Sequence, residues 1–218
     1  VLLRVEAFGL NRSELHTRLG LAGSAVTFPR VLGIEATGVI EAAPGTDLPV
    51  GAKAVAMMGG MGRVFDGGYA EYTLVPAQCV IPVETELDWA RLGALPEVLQ
   101  TAWGSLRVGI DLPKGGTLLV RGGTSSVGLM AALLAKRDGA TVISTTRSAA
   151  RADALRAIGV DHVVVDDGEV ASQVRSIVPN GVDGALELIG APTLRDTLRA
   201  CRVGGTTCFT GMLSNKWI

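Results

Sequence analysis

From residue 117 onward, short apolar runs alternate with longer segments in which apolar residues recur every three or four positions. The runs Thr117–Arg121, Thr141–Thr145, His162–Val165, Val182–Leu188 and Thr206–Thr210 are rich in β-branched residues and read as strands. Between them Leu129–Lys136, Ala149–Ile158, Glu169–Val178 and Thr193–Cys201 read as helices. The punctuation agrees: Gly139 and Gly159 close helices, Ser148 can cap one, and Pro179 follows another. Strict alternation with connections of roughly two to six residues predicts a parallel sheet with helices on both faces, a doubly wound α/β domain. Five strands are expected, and a sixth would follow residue 218.

Residues 1–90 have a different texture. Runs of β-prone residues (Leu2–Phe8, Ala36–Ala42, Lys53–Met58, Tyr69–Val75, Cys79–Val83) are separated by many Gly and Pro, with one short helix expected near Ser13–Leu19. This predicts a mostly antiparallel β domain. Asp88 can cap a helix Trp89–Leu95, and Pro96 separates it from a second helix, Glu97–Val108. The domains are therefore expected to be 1–90 and 91–218.

The turn between the first strand and first helix of the second domain is Gly122-Gly123-Thr124-Ser125-Ser126-Val127-Gly128. A helix starting near Ser126 presents unpaired N–H groups and the positive end of its dipole, which suits a pyrophosphate. Written as G-x-G-x-x-G, the motif has Gly123 and Gly128 at its ends but Ser125 in the middle. Either the phosphate sits further out, or the Ser125 and Ser126 hydroxyls donate to it; a plain tight turn is the bland alternative. Past the second strand, Ser144-Thr145-Thr146-Arg147-Ser148 and then Arg151 offer no carboxylate for a ribose diol. Hydroxyls with guanidinium groups match a ribose phosphate instead, favouring NADPH over NADH. The alternative is that Arg147 and Arg151 are solvated residues at the start of an exposed helix.

Several motifs together carry a family resemblance: FGLNRSELHTRLG at 8–20, PRVLGIEATGVI at 29–40, DGGYAEY at 66–72, LQTAW at 99–103 and VGG at 203–205. In this order they resemble the medium-chain dehydrogenase/reductase superfamily, and within it the zinc-independent NADPH:quinone oxidoreductases. The resemblance implies a GroES-like β-rich catalytic domain followed by a Rossmann NADPH-binding domain. It also implies that a hairpin before Val1, and a sixth strand and returning segment after Ile218, belong to the longer protein, which would form a homodimer along the sheet edge. Zinc-dependent relatives supply a Cys at the position of Asn11 and a His at that of Ile34; Glu35 alone cannot hold a catalytic zinc. Cys79, Cys201 and Cys208, expected in a strand, a helix end and a strand, have no metal-ligand spacing and read as buried structural thiols. No metal is expected.

Without a metal, the remaining chemistry is hydride transfer from NADPH to an acceptor that is already electrophilic, a quinone or an alkene conjugated to a carbonyl. The protein must position that acceptor, exclude water and offer a donor to the developing oxyanion. By resemblance, Asn11 matches an Asn at the cofactor cleft, Thr101 a Thr that meets the nicotinamide, and Gly211 the end of the fifth strand. Each has a plain alternative: a helix cap, a helix-surface residue and a simple turn. His16 stands where relatives tend to have Tyr and is a candidate donor to the acceptor oxygen, with a simply packed histidine as the plain alternative, and Ala22 lies near a second such position. Met212 replaces a polar residue and points to a more apolar pocket. His162 carries no functional signal.

A net charge of −1, from 20 Lys and Arg against 21 Asp and Glu scattered along the chain, predicts neither a nucleic-acid nor an anionic-membrane surface. The longest apolar helix, near Leu129–Ala135, is too short to span a bilayer, and a cytoplasmic enzyme is expected. Two rival functions remain open: a non-catalytic NADPH-binding structural protein, and an enoyl reductase of polyketide or fatty-acyl chemistry.

Overall fold

A computed structural model of the protein describes residues 1–211, 213 and 214. Met212 lies outside the described residues. The chain divides into two compact units, Val1–Glu97 and Val98–Ile218.

In the first unit, β1 (Leu2–Ala7), β2 (Glu35–Ala42), β3 (Lys53–Met57), β4 (Tyr72–Leu74) and β5 (Val80–Pro82) form one antiparallel sheet in the order β4-β1-β2-β3-β5. Leu3, Ala36, Ile40, Ala54, Ala56, Met61, Val75 and Val80 make its core, and Thr37 and Val55 between them along β2 and β3 are buried as well, so the central strands are covered on both faces. Gly38 is required where β1 and β2 meet, since a Cβ there would lie 1.9 Å from the Arg4 carbonyl oxygen. Helix α1 (Arg12–Arg18) lies between β1 and β2 in the chain, and α2 (Trp89–Gly93) is capped by Asp88, whose Oδ1 accepts from Arg91 N at 2.8 Å.

Two expectations for this unit change. The strand expected over Tyr69–Val75 begins only at Tyr72, because Gly67, Gly68 and Tyr69 spend their N–H groups on the carbonyls of Val31, Gly33 and Leu32 in a facing loop. Cys79 closes a single 3₁₀ turn after Pro76 instead of opening a strand. It and Cys208 are half-buried, so of the three free thiols only Cys201 is buried.

In the second unit, β6 (Thr117–Arg121), β7 (Thr141–Thr146), β8 (His162–Val165), β9 (Val182–Glu187) and β10 (Cys201–Phe209) form an all-parallel sheet in the order β10-β9-β6-β7-β8. This is the doubly wound order, with the chain reversing direction at β6. Helices α3 (Pro96–Gly104), α4 (Ser126–Arg137), α5 (Ala152–Ala157), α6 (Val170–Ile177) and α7 (Ala191–Ala200) complete the chain. The strands are buried on both faces: Leu118 and Val120 join Ala131, Ala132 and Leu186 in one core, whereas Leu119 joins Ile143, Val174 and Ala185 in the other. No helix among the described residues is long and apolar enough to cross a membrane.

Here the structure shifts three boundaries. β10 starts at Cys201, but its register breaks before Thr206, across the left-handed Gly204 (φ 72°). The expected helix Glu97–Val108 stops being α-helical at Gly104 and widens into a π turn over Ser105–Gly109, with Ile110 N donating to Ser105 O at 2.8 Å. Ser148 stands at the start of a 3₁₀ turn, Ala149–Arg151, without a side-chain cap; the Thr146 hydroxyl bonds to the Ser148 backbone in its place.

Candidate functional site

The second unit concentrates its polar groups at the carboxyl ends of its strands. β6 ends at Arg121, and Gly122 turns the chain with φ 93° so that α4 can begin at Ser126. The turn is held from beneath by β7: Gly122 N donates to Thr145 Oγ1 and Gly123 N to Thr145 O, both at 3.0 Å. A Cβ on Gly123 would lie 2.2 Å from Ser144 Oγ, and one on Gly128 2.6 Å from Gly122 O, so both positions need glycine for close approach. Ser144 Oγ itself is buried and has no hydrogen-bond partner among the described residues.

Ser125 has a different role from phosphate donation. Its hydroxyl donates to Gly122 O at 2.8 Å and accepts from Gly128 N at 3.1 Å, so it caps α4 and has no proton left for a ligand. The exposed Ser126 hydroxyl remains available, as do the Ser126 and Val127 N–H groups of the first helical turn, which have no intrahelical acceptor. Thr124 and Val127 flank them, half-buried. Thr146 is buried at the end of β7, and beyond it Arg147 and Arg151 are exposed and form no ion pair among the described residues. The glycine turn and the two guanidinium groups thus follow adjacent parallel strands, β6 and β7, at the same end of the sheet.

Below this surface lies a buried charge network that the sequence pattern did not reveal. Arg121, with no solvent exposure, holds Asp166 through Nε (2.9 Å) and Nη2 (3.0 Å), and holds Asp196 (2.7 Å), Thr193 O and Thr197 Oγ1 through Nη1. Burial pulls the guanidinium pKa down, but Asp166 and Asp196 outweigh it and the net direction is up. Thr197 also bonds to the buried Glu187, whose Oε1 accepts from Ile189 N and Gly190 N. A charged residue ending an otherwise apolar parallel strand was the available signal, since such a residue demands a partner.

Thr101 lies on α3, half-buried, and Gly211 follows β10, where a Cβ would lie 2.2 Å from Leu188 O. Ser105 Oγ donates to Thr101 O at 2.7 Å and meets Thr210 Oγ1 at 2.8 Å. His162 is exposed at the start of β8.

In the first unit two carboxylates, Glu14 and Glu35, meet at Asn11, the residue that precedes α1. Asn11 Nδ2 donates to Glu35 Oε1 at 2.7 Å, and Asn11 N donates to Glu14 Oε2 at 3.0 Å. Asn11 therefore occupies the cap position of α1 while its amide is tied to β2. Glu35 is 1% exposed; its second oxygen accepts from Glu97 N at 2.9 Å, and a Cβ on Gly9 would collide with Oε1 at 2.1 Å. Burial raises the Glu35 carboxyl above the ordinary range, against the pull of Asn11 and the Glu97 N–H. Glu14 Oε1 accepts from Ile34 N, and Ile34 is itself buried. Tyr69, stacked at 4.6 Å on Phe8, has its hydroxyl pushed up to about 12 by burial and by Glu14 and Glu35. His16 is 7% exposed, and its Nε2 has no hydrogen-bond partner among the described residues. Among the described residues no group of three or more His, Cys, Asp or Glu could hold a metal ion.

Comparison with known proteins accounts for both units. A model of the alcohol dehydrogenase GroES-like domain matches residues 1–85, and one of zinc-binding dehydrogenases matches 126–217, a segment that includes neither Asn11 nor Ile34. Quinone oxidoreductase of Lama guanicoe is 27% identical over 97% of this chain and 64% of its own length. The crystal structure of AibC superposes with a TM-score of 0.89 at 30% identity, covering all of this chain and 68% of that one. Mycobacterial Rv1454c, solved in complex with NADPH, superposes with a TM-score of 0.86 at 27% identity, over 97% of this chain and 64% of that one. The chain belongs to the medium-chain dehydrogenase/reductase superfamily, in its quinone oxidoreductase-like branch. It spans less than two thirds of the length of the llama protein.

Proposed function

We propose that this chain forms part of a zinc-independent reductase that transfers hydride from NADPH to a quinone or an alkene conjugated to a carbonyl. One observation carries the reading: beside a glycine turn that opens a helix, β7 is followed by two exposed guanidinium groups, Arg147 and Arg151, which form no ion pair among the described residues, and by no carboxylate, while the Thr146 hydroxyl spends its proton on Ser148 O. A ribose diol needs an acceptor there; a ribose phosphate needs donors. The donor set therefore fits NADPH. Helix N–H groups of α4 and the Ser126 hydroxyl would hold the pyrophosphate, and Arg147 and Arg151 the 2′-phosphate. Bound there, NADPH would supply the hydride.

The protein's own part is binding, orientation and charge stabilisation. Residues 91–218 serve as the cofactor domain, with Thr101 and Gly211 meeting the nicotinamide. Residues 1–90 serve the acceptor: Asn11, its amide fixed by Glu35, and His16, whose Nε2 has no partner among the described residues, are the polar groups offered to the acceptor oxygen. Asn11 and Ile34 can supply neither thiolate nor imidazole, which supports zinc independence. The longer protein would pair as a homodimer, as the family resemblance implies. NADPH oxidation by the full-length protein, followed with a quinone and with an enone, tests the reading; NADPH binding without turnover would favour the structural-protein alternative.

A further inference from the structure

Two of the groups assigned above to the nicotinamide, Thr101 and Gly211, lie 110 positions apart in the sequence, yet a short chain of side-chain hydrogen bonds joins their elements. A carbonyl only accepts, so in the 2.7 Å contact with Thr101 O the Ser105 hydroxyl spends its single proton. At 2.8 Å from Thr210 Oγ1, Ser105 must then accept, and Thr210 must donate. Thr210 in turn has lone pairs free for the Cys208 thiol, whose Sγ lies 3.1 Å away. The direction Cys208 to Thr210 to Ser105 to Thr101 satisfies each member once. Ser105 is 6% exposed, so losing this arrangement would strand a hydroxyl in the interior.

The surroundings show that this link is local and deliberate in its geometry. The α-helix gives way to the π turn at Ser105, and such widened turns are concentrated at functional positions. Within the π turn, a Cβ on Gly109 would lie 2.5 Å from Cys208 Sγ, so the turn rests directly on β10. Thr210 N and Gly211 N both donate to Glu187 O at 3.1 Å, which anchors the far end of the link to β9.

We propose that the Ser105 and Thr210 hydroxyls are positioning groups for the nicotinamide end of the cofactor site, tying the helix that carries Thr101 to the strand end that carries Gly211. The inference rests on the NADPH-reductase reading and extends it from the residues that meet the cofactor to those that hold them in register. Hydride transfer is steeply sensitive to such register, whereas binding of the distant phosphate end is not.

The test uses the full-length protein with Thr210→Val, which keeps the shape and deletes the hydroxyl, and Thr210→Ser, which keeps the hydroxyl and deletes the methyl. Three readouts are compared: kcat and KM for NADPH with 1,4-benzoquinone, affinity for 2′,5′-ADP, which has the ribose phosphate but no nicotinamide, and amide hydrogen exchange over residues 105–110 without cofactor. Thr210→Val is expected to lower kcat about tenfold or more, to leave 2′,5′-ADP affinity unchanged and to speed exchange, whereas Thr210→Ser behaves as wild type. A Thr210→Val kcat within about twofold of wild type overturns the proposal, as does equal damage by Thr210→Ser, which would mean packing of the methyl group matters and not the hydroxyl. If the wild type neither binds 2′,5′-ADP nor oxidises NADPH, the reductase reading itself falls and this inference with it, a failure visible before any variant is made.

Discussion

Arg121→Met isolates the buried charge network. Methionine retains most of the side-chain volume while deleting the charge-assisted bonds to Asp166 and Asp196 and leaving both carboxylates without their shared cation. Breaking a buried ion pair from one side typically costs about 3–5 kcal/mol, because the remaining charge has lost its partner. Two features moderate this value: the Asp166 and Asp196 side chains are 11% and 18% exposed, and both keep backbone donors, Gly168 N for the first and Val170 N for the second. We therefore expect the lower part of that range, about 3 kcal/mol, which for a chain of this size lowers Tm by roughly 6–12 °C. Arg202→Met is the control, because the Arg202–Asp183 pair is solvent-accessible on both sides, 42% and 27%, and its loss should cost at most about 1 kcal/mol. Thermal unfolding followed by circular dichroism, with denaturant midpoints as a cross-check, reads both. An Arg121→Met protein that melts within about 2 °C of wild type, or a control that falls equally far, would refute the claim that burial gives this network its weight.

Three further outcomes follow from named contacts. Glu35 has its carboxyl pKa raised by burial, so the stability it contributes is fully present below the ordinary carboxylate range and is lost as pH rises through the raised value. Glu35→Gln should flatten the dependence of the denaturant midpoint on pH in the weakly acidic region, and an unchanged slope would contradict the assignment. Gly123→Ala places a methyl group against Ser144 Oγ and should cost about 1–3 kcal/mol, with part recovered in Gly123→Ala/Ser144→Gly, where the obstructing side chain is gone. Ser125→Ala removes the cap of α4 and should lower stability by about 1 kcal/mol, with NADPH affinity changed mainly through the helix end and not through a lost phosphate contact; a selective loss of affinity at unchanged stability would restore Ser125 as a ligand.

The parallel sheet was legible in the sequence because its strands are buried on both faces and its helices follow in strict alternation, a pattern few other architectures produce. The glycine turn was legible for a related reason: Gly123 and Gly128 stand where backbones must touch, and no other residue fits. Ser125 shows the limit, since the same hydroxyl can serve a phosphate or a helix cap, and only its bonds to Gly122 O and Gly128 N decide. Pairings across long separations were hidden. Glu35 sits 24 residues from Asn11 and looked like an isolated former metal-site neighbour, yet it fixes the Asn11 amide. Arg121 read as an ordinary strand end because its partners arrive 45 and 75 residues later. The π turn after Gly104 leaves no mark in hydrophobic periodicity over so few residues, which is why a continuous helix to Val108 was expected.

The central claim is that the groups after β7 recognise a ribose phosphate in a hydride-transferring enzyme. Its most direct test is the steady-state oxidation of NADPH and NADH by the full-length protein with a simple quinone, wild type against Arg147→Ala/Arg151→Ala. We expect the wild type to prefer NADPH and the double variant to lose that preference through a rise in the NADPH KM of about tenfold or more, at little change in kcat. Equal use of NADH by the wild type, or an NADPH preference that survives loss of both arginines, would contradict it.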